Sequence, residues 1–165
     1  MKPPKAIIPN KDQESVWDYP RPPKLEPVGA HVRVIFNGKV LADSSKALRI
    51  LETSHPPTIY IPKDAIAVSM LAESSRTTFC EWKGMGSYYH LADGEKRVEN
   101  AAWFYLNPKN AYAALKDHIA FYPSKVDECY IGDERVQAQE GDFYGGWITS
   151  KIVGPFKGGE GTFGW

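Results

Sequence analysis

The chain has 165 residues, of which 42% are hydrophobic and 13% aromatic, with 20 basic and 20 acidic side chains. This length fits one domain, and the apolar content excludes a disordered chain. A formal charge of zero excludes the bulk basic surface that displaces counterions from nucleic acid, so we expect no nucleic-acid partner. No apolar run approaches the roughly 20 residues that cross a bilayer, so we expect no membrane partner.

Cysteine content and the N-terminal sequence predict a cytoplasmic location. Cys80 and Cys129 are too few for a disulfide framework, and they do not form a Cys-x-x-Cys pair. The first residues lack the long apolar stretch of a secretory signal. We therefore expect a cytoplasmic protein with two reduced thiols, no cofactor and no bound metal.

Composition divides the chain into three segments. Residues 1–27 form a proline-rich arm, which we expect to be extended because proline fixes φ and lacks a backbone donor. Residues 28–136 form a β domain, and residues 137–165 form a tail rich in glycine and aromatic residues. The tail aromatics predict docking, either on this chain or on a second copy as a homodimer.

In chain order, alternating strands dominate the central segment. Residues 31–36 alternate and are followed by Asn37-Gly38, which favours a type I′ hairpin because both central residues need a positive φ. Asp93-Gly94 predicts a second hairpin, between residues 87–92 and 95–98. Further strands are predicted at residues 58–61, 67–71, 77–82, 102–106 and 119–126.

One short helix is predicted near residues 108–117. Asn107 can cap it and Pro108 suits the first helical position. The expected fold class is therefore mainly β (α+β), with small antiparallel sheets and one short helix.

The first candidate site is the polar run at residues 49–62. Glu52 and His55 have the chemistry of an acid–base pair, and the planar fork of Arg49 suits a carboxylate or phosphate. Tyr60 adds a phenol to the same run. The alternative is structural, because polar turns commonly bond to their own backbone.

The second candidate site is residues 76–84, which contain Cys80 and Lys83. A thiol becomes a nucleophile when a cation or base lies beside it. Strand alternation predicts that Lys83 points away from Cys80, which favours a buried, inert thiol.

The third candidate is aromatic. Alternation places Trp103 and Tyr105 on one face of a strand, and Tyr122 follows another strand. Such rings can form the wall of a ligand pocket or simply the core. A zinc site of Glu52 with His55, His90 and His118 is chemically conceivable, but sequence spacing cannot test it because strand register decides whether these residues meet.

Six segments together carry a family resemblance, at residues 21–23, 47–57, 60–62, 76–84, 101–105 and 118–122. They resemble a family catalogued as domain of unknown function 427, which also carries a nucleotidyltransferase-like label, and the tail resembles cyanobacterial members. The resemblance implies a β-tent fold similar in topology to methionine sulfoxide reductase B. The chain lacks the paired cysteines of those zinc-binding relatives. Nucleotidyl transfer usually needs a metal held by carboxylates and a phosphate cradle, and the residues do not support it.

The leading functional hypothesis is a small-molecule-binding β domain, with an enzyme of unassigned reaction left open. Its pocket is predicted from the 49–62 run and the aromatic strands, with Glu52, His55 and Cys80 as catalytic candidates. The ligand-binding candidates are Arg49, Tyr60, Lys83, Trp103, Tyr105 and Tyr122. The alternative is a non-catalytic interaction or dimerisation module, and a metal-dependent hydrolase or nucleotidyltransferase ranks lower. The leading hypothesis predicts that these side chains converge on one concave site.

Overall fold

A computed structural model describes residues 5–141 and 143–165 of the chain. About 46% of residues lie in strands and 11% in helical segments, which confirms the mainly β fold class. The strands of the described residues are β1 (Glu14–Ser15), β2 (Lys24–Pro27), β3 (Val32–Phe36), β4 (Lys39–Ser44), β5 (Leu48–Leu51), β6 (Thr58–Pro62), β7 (Leu71–Cys80), β8 (Gly84–Asp93), β9 (Lys96–Tyr105), β10 (His118–Phe121), β11 (Glu128–Ile131), β12 (Glu134–Arg135), β13 (Gln137–Ala138), β14 (Trp147–Ile148) and β15 (Ile152–Val153).

Two antiparallel sheets make up most of the fold. The larger has seven strands in the order β2-β5-β6-β10-β9-β8-β7, and the smaller has four in the order β12-β11-β3-β4. Two short pairs lie outside these sheets: β1 pairs with β15 in parallel and links the N-terminal arm to the tail, and β13 pairs with β14 within the tail. The predicted small antiparallel sheets are thus confirmed.

Both predicted hairpins are present. Asn37 and Gly38 have φ values of 52° and 73°, as a type I′ turn requires. In the second hairpin Asp93 pairs with Lys96, so the central residues are Gly94 and Glu95 rather than Asp93 and Gly94. Gly94 supplies the positive φ, at 59°.

Several predicted strands are wrong in extent, including those at residues 67–71 and 119–126. Residues 68–70 form a 3-10 turn, Val68–Met70, and the strand begins only at Leu71. The strand predicted over residues 119–126 ends at Phe121. Pro123 lacks a backbone donor for a ladder, and it begins the 3-10 turn Pro123–Lys125.

The predicted helix exists as a 3-10 segment, Asn110–Leu115, broken at Tyr112 where φ is −120°. Asn107 does not cap it; Lys109 precedes it instead and donates its backbone N–H to the carbonyl of Lys83 at 3.0 Å. The other 3-10 segments are Val16–Asp18 and Lys63–Ala65. No helix in the described part of the chain has the length and apolarity that a membrane span requires.

Strand alternation gives the seven-stranded sheet two different faces. One face packs against the four-stranded sheet and contributes Ile59, Ile61 and Phe121 to the main core. The opposite face carries a second cluster of mostly aromatic side chains, among them Tyr60 and Trp103. This second face is where the candidate site residues gather.

The tail docks on the domain. Trp147 is fully buried and donates its indole N–H to the carbonyl of Phe121 at 3.1 Å. Trp165 packs edge-on against Trp17 of the N-terminal arm, with ring centroids 5.3 Å apart. Phe163, by contrast, remains 96% exposed.

Gly145 of the tail packs against the aromatic face so closely that a side chain has no room there. A Cβ added there lies 2.6 Å from Cζ3 of Trp103 and 3.1 Å from Cδ1 of Tyr122. We expect Gly145→Ala to lower the free energy of unfolding by about 1–3 kcal/mol through overpacking, measured by urea denaturation.

Gly164→Ala is the matched control for this substitution, because a Cβ at Gly164 meets nothing within 4 Å among the described residues. Equal stability of the two variants would contradict the close packing of the tail.

Candidate functional site

The aromatic face of the seven-stranded sheet forms the floor of a cavity of about 420 Å³. This volume lies in the range of small-molecule sites. The surrounding walls are the turn after β5, the turn between β7 and β8, and tail residues 143–145. Eight of the nine predicted site residues line this one cavity: Glu52, His55, Tyr60, Cys80, Lys83, Trp103, Tyr105 and Tyr122.

The floor is a set of rings held in fixed positions by one another. Trp103 donates its indole N–H to the Tyr60 hydroxyl at 3.2 Å, and their rings meet edge to face with centroids 6.1 Å apart. Tyr122 packs against the other side of the indole at 4.6 Å. Tyr60 is fully buried, so the floor is formed before any ligand arrives.

The turn after β5 fixes the tautomer of His55. Nδ1 lies 2.9 Å from the carbonyl oxygen of Thr53, and 3.9 Å from a carboxylate oxygen of Glu52. Because a carbonyl oxygen can only accept, Nδ1 carries the proton and Nε2 is the basic nitrogen. Ser54 makes this tight turn with a positive φ of 74°.

The surroundings of His55 favour its neutral form. Burial lowers the pKa of the imidazole, and the charges of Lys157 and Arg21 lower it further. The Glu52 carboxylate and the Thr53 carbonyl act in the opposite direction without offsetting burial. The ring of Tyr144, 4.8 Å away, provides part of that cover.

Lys83 brings a positive charge onto the aromatic floor. Its Nζ lies 5.6 Å from the centre of the Tyr105 ring. Burial by itself lowers the pKa of Lys83. The Tyr60 hydroxyl and the Cys80 thiol, together with Glu52, outweigh burial and raise it. Lys83 is therefore an ammonium rather than a free amine at neutral pH.

The expectation that Lys83 points away from Cys80 is wrong. β7 ends at Cys80, and residues 81–83 form a turn before β8 begins at Gly84. Alternation predicts side-chain direction only inside a strand, and here the chain reverses. Gly84, with φ at 107°, permits the reversal.

The tyrosines of the floor act as hydrogen-bond donors. Burial raises the pKa of Tyr105 far above its usual value, and neighbouring Tyr60 adds to the rise. Burial, together with Tyr88, does the same for Tyr122. Both phenols therefore stay protonated at neutral pH.

Several more cations surround the cavity, each over the ring of an aromatic residue that lines it. The charged groups of Arg76, Lys125, Lys157 and Lys109 lie 4.8 to 5.4 Å from the ring centres of Tyr88, Tyr122, Tyr144 and Phe79. The chain as a whole has zero formal charge, so this is a local excess of positive charge.

Residues 24–132 match a protein family described as "Domain of unknown function (DUF427)", which is about two thirds of the chain. The chain belongs to the DUF427 family. No curated protein is significantly similar to it. The matched residues include the floor of the cavity and both turns, so the site is part of the DUF427 domain.

Two parts of the site lie outside the DUF427 match. Arg21 pairs with Glu52 at 3.3 Å and donates to the Thr53 carbonyl at 2.9 Å, so it holds the turn that carries His55. Tyr144 covers His55 from the tail. Neither residue was predicted to belong to the site, although Arg21 lies in the family segment at residues 21–23 and Tyr144 precedes two glycines that permit close approach.

Arg49 lies apart from the other predicted site residues. It faces the opposite side of β5, where its guanidinium pairs with Glu26 at 2.7 Å and Glu14 at 3.0 Å. There it lines a second cavity of about 560 Å³. The reason is alternation, since Ile50 next to it belongs to the aromatic face.

The two cysteine thiols differ in their exposure. Cys80 is half-buried and lines the cavity, whereas Cys129 is buried and burial raises the pKa of its thiol well above the usual range. Within residues 5–141 and 143–165, no three side chains of His, Cys, Asp and Glu come close enough to hold a metal ion.

The lowered pKa of His55 predicts a pH effect on stability. The ordinary pKa of 6.5 applies to the unfolded chain, so below that pH the unfolded state binds more protons than the folded state. The free energy of unfolding therefore falls as the pH drops below the ordinary value, and the loss levels off below the folded pKa.

We expect the decrease between about pH 7.5 and about pH 5.5 to be smaller in His55→Gln than in the unmodified protein, measured by urea denaturation. His118→Gln serves as the control, because His118 makes the same kind of bond, Nδ1 to the Lys116 carbonyl at 2.9 Å, outside the cavity. A His55→Gln variant with the full pH dependence of the unmodified protein would refute the assignment.

Proposed function

We propose that this DUF427 domain binds a small organic anion with a planar ring in the cavity above the aromatic face. The observation that carries the proposal is the Lys83 ammonium lying over the Tyr105 ring at 5.6 Å inside an aromatic cavity. An ammonium in partly desolvated surroundings gains most from a bound anion, because charge-assisted hydrogen bonds are about twice as strong as neutral ones.

The charge balance around the cavity supports an anion rather than a cation. The carboxylate of Glu52 is already paired with Arg21 at 3.3 Å. Glu81 is a second carboxylate at the cavity, and against these two stand Lys83 and the four cations over the rings of lining residues.

Shape supports the planar part of the ligand. The rings of Tyr60, Trp103 and Tyr122 are locked at fixed angles and offer flat surfaces and edges. A volume of about 420 Å³ accommodates one or two fused rings with a substituent. The Tyr122 hydroxyl donates to the carbonyl of Phe143 at 3.0 Å, which holds the tail wall against this floor.

Binding of matched acid and amide probes tests the proposal. We expect calorimetry to show tighter binding of 2-naphthoate than of 2-naphthamide, which has the same shape without the charge. In Lys83→Met the affinity for 2-naphthoate should fall by about 10- to 100-fold, because one charge-assisted bond is lost, while that for the amide should change little.

Lys63→Met is the matched control, because Lys63 also lies over a tyrosine ring, that of Tyr89 at 6.0 Å, but outside the cavity. Equal affinity for the acid and the amide in the unmodified protein would overturn the proposal. So would a Lys83→Met variant that binds the acid unchanged.

A further inference from the structure

We infer that this site moves a proton: His55 removes it from a carbon acid, and Lys83 stabilises the enolate that forms. The inference rests on the proposed anion binding and adds a reaction class to it. The substrate class is a planar organic anion with an acidic C–H bond next to a carbonyl group.

His55 provides a base with a free lone pair. Nδ1 of His55 is bonded to the Thr53 carbonyl at 2.9 Å, so the distal nitrogen, Nε2, is unprotonated. Among the described residues no hydrogen-bond partner takes that lone pair. His55 lines the cavity, and its ring is held there by Tyr144 at 4.8 Å.

Glu52 stabilises the positive charge that His55 acquires when it takes the proton. When Nε2 takes a proton the ring becomes an imidazolium, and the Glu52 carboxylate oxygen lies 3.9 Å from its Nδ1. Arg21 fixes that carboxylate from the other side at 3.3 Å. The Thr53 carbonyl therefore orients the ring, while the Glu52 carboxylate stabilises the imidazolium through its charge, as a general base requires.

Lys83 supplies the positive charge that stabilises the enolate. An enolate carries its negative charge on oxygen, and a preorganised cation in a partly dry site lowers the barrier to forming it. The Lys83 ammonium occupies the same cavity as His55. Both groups line this one cavity of about 420 Å³, whose volume suits a single small molecule.

The reaction balances without any other reagent. The C–H bond breaks, the proton goes to Nε2 of His55, and the electron pair forms the C=C bond while the carbonyl π pair moves to oxygen. Return of the proton to carbon gives exchange, and return to oxygen gives the enol. No oxidant or reductant is consumed.

The pH dependence of the reaction rate follows from the groups that face His55. These are Glu52 on the same turn, Arg21 from the N-terminal arm, and Lys157 and Tyr144 from the tail. Only neutral His55 accepts a proton, so the rate should rise with pH through the pKa of His55 and then level off.

The test uses the full chain with phenylpyruvate as the probe, in deuterated buffer. Proton NMR follows loss of the benzylic signal, and calorimetry measures binding in the same samples. We expect the protein to accelerate exchange, and His55→Gln to reduce the acceleration by at least about 100-fold, the usual contribution of a general base. His118→Gln should exchange like the unmodified protein.

A rescue experiment separates chemistry from structure. Added imidazole should restore exchange to His55→Ala, which a purely structural role would not allow. Binding of phenylpyruvate without His55-dependent exchange would overturn this inference and leave the proposed function standing. Absence of binding would count against anion binding itself, and this inference would fall with it.

Discussion

The site depends on the period-two alternation of side chains along the seven-stranded sheet. Residues at alternate positions form the main core on one face, and those between them form the aromatic floor on the other. Tyr60 and Ile61 are neighbours in sequence and lie in different clusters. The aromatic floor follows from this separation, and the turns after β5 and β7 then add His55 and Lys83 to its edge.

Local signals in the sequence predicted much of this. Asn37-Gly38 specifies its hairpin through backbone conformation alone. Alternation within β9 correctly predicted that Trp103 and Tyr105 lie on one face. Eight of the residues proposed for the site from the sequence line the same cavity. Local chemistry suffices in these cases because neither turn type nor side-chain direction within a strand depends on distant residues.

Other features depended on where a strand ends or on contacts between distant residues. Lys83 was misplaced because β7 stops at Cys80, and nothing in the local pattern marks that boundary. Arg49 was grouped with Glu52 by sequence proximity, yet it pairs with Glu14 and Glu26 across the sheet. The contact of Tyr144 with His55 spans 89 positions and rests on tail packing that no short pattern encodes.

We propose that organic anions bind at Lys83 on the aromatic face and not at Arg49, whose guanidinium is already matched by two carboxylates. A crystal structure of the protein with 2-naphthoate distinguishes the two positions. We expect the carboxylate within about 3.2 Å of Nζ of Lys83 and the rings against Trp103. Naphthoate bound in the cavity beside Arg49, with the aromatic cavity empty, would contradict it.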